Sequence, residues 1–193
     1  MEFVQITDDA LPQSDCRSCI DLFEWHPELH KDGVISSEES DTTHKKSTDI
    51  CLSFGEDNSF NNIILPHLTK ELKKYRKTYD SFDFAPNWTL CSLYNIQRYL
   101  PGEGYYSWHS EVNFIDTPPN PLYSTRVLVW MIYLNDVDDG GTEFMNQKTT
   151  VDAKCGRCVV WPATWTHTHR GRVSNTKTKY IVTGWCNYII ELY

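Results

Sequence analysis

The chain lacks any stretch approaching the roughly 20 apolar residues of a membrane-spanning helix, so no membrane association is expected. Its first nine residues, Met1 to Asp9, lack the basic start and apolar run of a secretory signal. A cytoplasmic location is the expectation that follows. A basic excess is missing too. Lys and Arg number 18 against 26 Asp and Glu, and the net charge of −8 argues against a nucleic-acid partner, because phosphate contacts need a basic surface. No internal repeat or low-complexity tract is evident, and 40% hydrophobic content suffices for a packed core. The 193 residues suit a single domain, 1–193, with a helical support and flap region over 1–85 and a β core over 86–193.

Cysteine is plentiful, and in a reducing compartment the seven residues are expected as free thiols. Cys16/Cys19 and Cys155/Cys158 have the CxxC spacing of zinc sites. However, Cys16, Ile20 and Phe23 fall at helical spacing, and Cys158 opens the apolar run Cys158-Val159-Val160-Trp161. Both pairs therefore read as small core residues, not zinc ligands.

The N-terminal third reads as helical. Ser14 or Asp15 can cap a helix that runs to about residue 25. A second helix is expected over 63–79, burying Leu65, Leu68, Leu72, Tyr75 and Tyr79 and leaving Lys70, Lys73, Lys74, Arg76 and Lys77 on a solvated face. Between them, the polar stretch 31–48 reads as a loop or flap. From residue 88 the pattern changes to aromatic and β-branched runs over 89–100, 125–134, 149–153, 157–161 and 180–188. Pro-Gly, Asp-Asp-Gly-Gly and Lys-Cys-Gly turn signals separate them. Short strands at this spacing predict a sandwich or barrel with flanking helices.

The sharpest local signal is Tyr105-Tyr106-Ser107-Trp108-His109-Ser110-Glu111. On an extended strand, residues i and i+2 point the same way, so His109 and Glu111 can face one cation. A third ligand must come from elsewhere, and the candidates lie in Trp165-Thr166-His167-Thr168-His169-Arg170-Gly171. Two imidazoles and a carboxylate on one face of an octahedron leave open positions, as in the non-haem Fe(II) oxygenases.

Several motifs in order then resemble one family. Tyr99-Leu-Pro-Gly102-Glu-Gly-Tyr105 leads into His109-Ser-Glu111, and Arg126 precedes the run 127–134. Asp139-Gly140-Gly141-Thr142-Glu143-Phe144 and Gly156-Arg157 follow, and then His169-Arg-Gly171 with Lys179-Tyr180. Residues 94–188 thus resemble the Fe(II)/2-oxoglutarate dioxygenases, in particular their prolyl 4-hydroxylase-like branch; 3–23 and 45–49 are similar to its leading segment. The resemblance implies a mainly β fold with flanking helices around a double-stranded β-helix (jelly roll). It also implies Fe(II), 2-oxoglutarate and O₂, with ascorbate as an auxiliary reductant.

From the family's register, His169 is the distal metal ligand in preference to His167. Lys179, ten residues on, binds the far carboxylate of 2-oxoglutarate together with Tyr99. The sequence departs from the family pattern twice. Glu111 stands where Asp is usual, and the extra methylene moves the carboxylate by roughly 1.5 Å. Asp139 stands where the first glycine of Gly-Gly-x-Thr-x-Phe would be. Gly140 and Gly141 are expected to form a tight turn.

The activity implied is hydroxylation of a C–H bond, with a peptidyl proline or similar side chain as substrate and Tyr105, Trp108 and His167 as substrate-side residues. Oxidation of a free amino acid, another small molecule or a nucleobase is the alternative within the chemistry. A non-catalytic jelly-roll binding or structural module is the alternative outside it.

Overall fold

A computed structural model describes residues 2–33, 42–112, 114–115, 122–123 and 125–189, the two short pairs by their backbone alone. Of the expected loop or flap 31–48, residues 34–41 lie outside the described residues, while Lys31–Asp32 and Lys45–Lys46 form short strands. No described helix is long and apolar enough to cross a membrane.

Seven strands form the major sheet, in the spatial order Gln5–Thr7, Cys158–Pro162, Arg126–Tyr133, Lys179–Tyr188, Trp88–Tyr99, Thr48–Ser53 and Lys31–Asp32. Every neighbouring pair is antiparallel. A minor sheet pairs Thr149–Ala153 with Val137–Phe144 and that strand with His169–Gly171. His109 extends it through a single bridge to His169. This is the double-stranded β-helix with flanking helices that the resemblance implied.

The central strand Arg126–Tyr133 is buried on both faces, and its period-two alternation sorts the two cores. Leu128, Trp130 and Ile132 pack with Phe23, Ile64 and Leu68 of the helices. Val129, Met131 and Tyr133 point the other way, into a second core with Phe144, Trp161 and Ile181. The helices thus cover one face of the major sheet and leave its concave face to a cavity.

Helix boundaries differ from the sequence expectation at both N-termini. The first helix, Gln13–Trp25, starts after Pro12, and no side chain caps it; the backbone N–H groups of Asp15 and Cys16 reach Pro12 O instead. It buries Cys16, Cys19 and Phe23, while Ile20 is only half-buried. The second helix, Ser59–Thr78, begins a turn earlier than its apolar pattern suggests. Asn58 caps it, Oδ1 accepting from Asn61 N at 2.9 Å. Its five basic residues are all exposed.

A further correction concerns Asp-Asp-Gly-Gly, which is no turn. It runs inside the strand Val137–Phe144, whose register to Thr149–Ala153 shifts between Val137 and Thr142. Gly141 takes φ +112° at this irregularity, and a Cβ there would lie 2.4 Å from Val151 O. Five steps along this strand face two along its partner, so three extra residues bulge and twist it locally, and glycine tolerates both the dihedral and the close approach. Gly141→Ala is expected to cost about 1–3 kcal/mol. A lower urea midpoint at unchanged m would show it.

Candidate metal centre

Two chain segments meet to build the site. His109 N donates to His169 O at 3.0 Å and His169 N to His109 O at 2.9 Å, so the two imidazoles stand side by side with ring centroids 4.3 Å apart. Each Nδ1 lies against a backbone carbonyl two residues earlier: His109 on Ser107 O at 3.1 Å and His169 on His167 O at 2.9 Å. A carbonyl can only accept, so each Nδ1 carries the proton and each Nε2 presents a lone pair. Glu111 is anchored by its own N–H to Ala163 O at 3.0 Å. Its Oε1 lies 3.5 Å from His109 Nε2 and 3.6 Å from His169 Nε2.

Among the described residues, this is the one group of three or more His, Cys, Asp or Glu whose ligand atoms converge, all within 4.8 Å of one another. Neither CxxC pair belongs to such a group. Bonds of about 2.1 Å at right angles place ligand atoms about 3 Å apart. The two Oε1–Nε2 distances, 3.5 and 3.6 Å, exceed that spacing by only about 0.5 Å, so Glu111 and each imidazole fit neighbouring positions on a six-coordinate cation.

Electrostatics keep the carboxylate ionised. Burial alone would push the Glu111 carboxyl up, but the two imidazoles, when protonated at Nε2, hold it well below the usual carboxylate range through hydrogen bonds and charge; a divalent cation would take the place of those protons. Burial lowers the affinity of His169 for a second proton, against the pull of Glu111. A neutral imidazole and an ionised carboxylate are the forms that bind metal. Trp161 meets the His169 ring edge-on at 5.0 Å and Tyr105 stacks on His109 at 3.7 Å, which fixes both ring planes.

The triad opens into a cavity of about 520 Å³ on the concave face of the major sheet. Lys179 and Tyr99, paired across neighbouring strands, line the same cavity. The Lys179 ammonium donates to Arg172 O at 2.9 Å and sits 5.0 Å from the Tyr99 ring centroid. Burial lowers its pKa to about 8, against some support from Asp139. The Tyr99 hydroxyl donates to Gln97 Oε1 at 2.8 Å. Gln97 Nε2 in turn donates to Asp49 Oδ2 at 2.9 Å, and that oxygen also pairs with Lys45 Nζ at 2.7 Å. This buried chain, joined by Ser47, ties the leading segment to the cavity wall.

Of the three expected substrate-side residues, Tyr105 alone is among those lining the cavity. Trp108 precedes His109 by one residue, and neighbours along an extended segment point to opposite faces. Its ring is covered by the Arg170 guanidinium, 4.4 Å from the centroid. His167 does not share the parity of His169, because Trp165–His167 forms a 3-10 turn. Its ring meets Glu2 O at 3.2 Å and Thr166 Oγ1 at 2.9 Å, outside the cavity.

Trp185 and the acceptor Gln97 escaped sequence reasoning. The period of two would have found both: Lys179, Ile181, Thr183 and Trp185 line the cavity from one strand, and Leu93, Asn95, Gln97 and Tyr99 from the next.

With the geometry in place, comparison with known proteins is informative. Residues 94–187 match the 2OG-Fe(II) oxygenase superfamily. No curated protein matches the chain. Among solved structures, the viral collagen prolyl hydroxylase vCPH of Paramecium Bursaria Chlorella virus-1, in its 2OG complex, superposes with TM-score 0.69 at 15% identity, over 97% of each chain. A Pseudomonas putida prolyl-4-hydroxylase gives 0.67 at 14%, over 96% of this chain and 92% of the other. A Trichoplax adhaerens prolyl hydroxylase, in complex with a hypoxia inducible factor oxygen degradation domain peptide fragment, gives 0.71 at 13%, over 97% and 84%. At such identities these likenesses establish a common fold.

Proposed function

We propose that this chain, which belongs to the 2OG-Fe(II) oxygenase superfamily through residues 94–187, is an Fe(II)- and 2-oxoglutarate-dependent dioxygenase that hydroxylates a peptidyl proline or a similar side chain. The observation that carries the reading is the convergence of His109 Nε2, His169 Nε2 and Glu111 Oε1 at the wall of a cavity that also holds the Lys179 ammonium. Such a donor set binds a divalent cation through one face, and the ammonium suits the far carboxylate of a keto-diacid.

When bound, Fe(II), 2-oxoglutarate and O₂ supply oxidation of an unactivated C–H bond, coupled to decarboxylation of the keto acid to succinate and CO₂. The protein's share is positional. Ser107 O and His167 O hold the two imidazoles in the tautomer that leaves Nε2 free to ligate. Lys179 and Tyr99, both on the cavity wall, would hold the cosubstrate's second carboxylate. Trp161, which meets the His169 ring edge-on, helps to exclude water on that side. The prolyl assignment draws on the named activity of the structural relatives, one of which is in complex with a peptide fragment. A cytoplasmic location belongs to this reading, supported by seven cysteines that are all free thiols.

Anaerobic titration with Fe(II) and 2-oxoglutarate is expected to produce a weak metal-to-ligand charge-transfer band. Folded protein without that band would refute the oxygenase reading and favour a non-catalytic module. Mass spectrometry for a gain of one oxygen, on prolyl peptides against free proline and other amino acids, tests the substrate class.

A further inference from the structure

We propose that Arg126 and Trp185 are positioning residues that clamp one carboxylate oxygen of Glu111, so that the other is presented alone to the metal. The inference rests on the reading of His109, Glu111 and His169 as metal ligands.

Glutamate differs from aspartate by one methylene and one further rotatable bond. Left loose, it can swing away from the imidazoles, or turn both oxygens toward one cation and fill a position that cosubstrate or O₂ needs. The structure meets both problems at Oε2. Arg126 Nη1 donates to it at 2.9 Å and Trp185 Nε1 donates to the same atom at 3.0 Å. The two donors brace each other, since the guanidinium lies 3.7 Å from the indole ring centroid. Charge-assisted bonds of this kind are the stronger class, and the planar guanidinium suits both a stack and a carboxylate.

The main chain cooperates. Glu111 N donates to Ala163 O, and Ala163 N donates to Val127 O, both at 3.0 Å. The residue after Arg126 therefore fixes the backbone from which Glu111 projects. Trp185 arrives from the adjacent strand, three inward positions beyond Lys179. With Oε2 held on this side, Oε1 is the oxygen that faces both imidazoles. The departure from aspartate is matched by a clamp set at the length of glutamate.

Co(II) is a suitable probe, because its d–d absorption reports coordination number and its titration gives an affinity without turnover. Wild type, Arg126→Gln, Arg126→Lys, Trp185→Phe, Glu111→Asp and Glu111→Asp/Arg126→Gln are compared anaerobically, with thermal melts to confirm folding. Arg126→Gln is expected to weaken Co(II) about 10- to 100-fold, the usual cost of losing a partner behind a ligand, and to alter the d–d spectrum. Arg126→Lys should restore part of the affinity. Trp185→Phe keeps the ring and loses only the N–H, so a smaller loss with a spectral change is expected.

In Glu111→Asp the carboxylate falls short of the clamp. Adding Arg126→Gln there should cost less than about threefold, so the two losses do not add. Wild-type affinity and spectrum in both Arg126→Gln and Trp185→Phe would overturn the clamp. So would a full Arg126→Gln penalty in the aspartate background. If Arg126→Gln does not fold, Trp185→Phe and Arg126→Lys decide. If wild type itself binds no Co(II), the metal-ligand reading fails, and the clamp with it.

Discussion

Replacing His169 with alanine is expected to abolish both metal binding and succinate formation, whereas His167→Ala should retain both within about tenfold. His169 supplies one of three convergent ligand atoms, and its loss leaves two donors and a wide gap. Loss of a mere partner of a ligand typically costs 10–100-fold in affinity, so loss of the ligand itself should exceed that range. His167 serves the centre through its carbonyl, which accepts from His169 Nδ1, and alanine keeps that group. Its ring bonds to Glu2 O and Thr166 Oγ1 are structural, so His167→Ala should lower thermal stability modestly while leaving metal affinity near wild type. Co(II) titration of both variants, with succinate assayed in parallel, gives the comparison. Equal losses in the two, or retained metal in His169→Ala, would refute the assignment.

Lys179→Met separates cosubstrate binding from folding. Truncating one partner of a buried charge pair costs about 2–5 kcal/mol, which places the loss of 2-oxoglutarate affinity at about 30-fold or more. Stability should not fall in step, because the free protein holds this ammonium in a desolvated site, as its lowered pKa of about 8 records. The linkage sign follows from that direction. Below pH 8 both folded and unfolded chains carry the proton, and the burial cost is fully present. Between about 8 and the ordinary lysine value, the unfolded chain binds more protons, so stability from this residue rises with pH.

Cosubstrate affinity moves the opposite way. A neutral amine cannot pair with the carboxylate, so the apparent KM for 2-oxoglutarate should climb about tenfold per pH unit above 8. Lys179→Met should flatten that limb. A KM that is unchanged in the variant, or a wild-type KM flat from pH 7 to 9, would remove Lys179 from the cosubstrate site.

How much of this was legible in the chain differs from element to element. His109 and Glu111 could be paired by the two-residue period, although the structure joins them to the minor sheet by a single bridge and not along a full strand. Lys179 and Tyr99 could be inferred from family register, and the same parity, carried further, would have reached Trp185. Asp-Asp-Gly-Gly misled because glycine marks a turn and a strand irregularity alike. The two differ only in whether a partner strand runs alongside, here the one that brings Val151 O against Gly141.

Sequence by itself determined what local geometry transmits: the strand runs, the sides on which their residues fall, and the donor set His109, Glu111 and a histidine near 169. Side-chain direction alternates along an extended chain whatever its neighbours are, so these features survive in one dimension. Tertiary structure decided the rest. It took His167 off the parity of His169 through the 3-10 turn Trp165–His167, and it brought Arg126 and Trp185 from different strands onto one carboxylate oxygen. Those outcomes depend on which strands pair and in what register, and pairing is set by contacts between segments far apart in the chain. The carboxylate at 111 shows the division: its identity is written in the sequence, and the oxygen it turns to a metal is chosen by two donors 15 and 74 residues away.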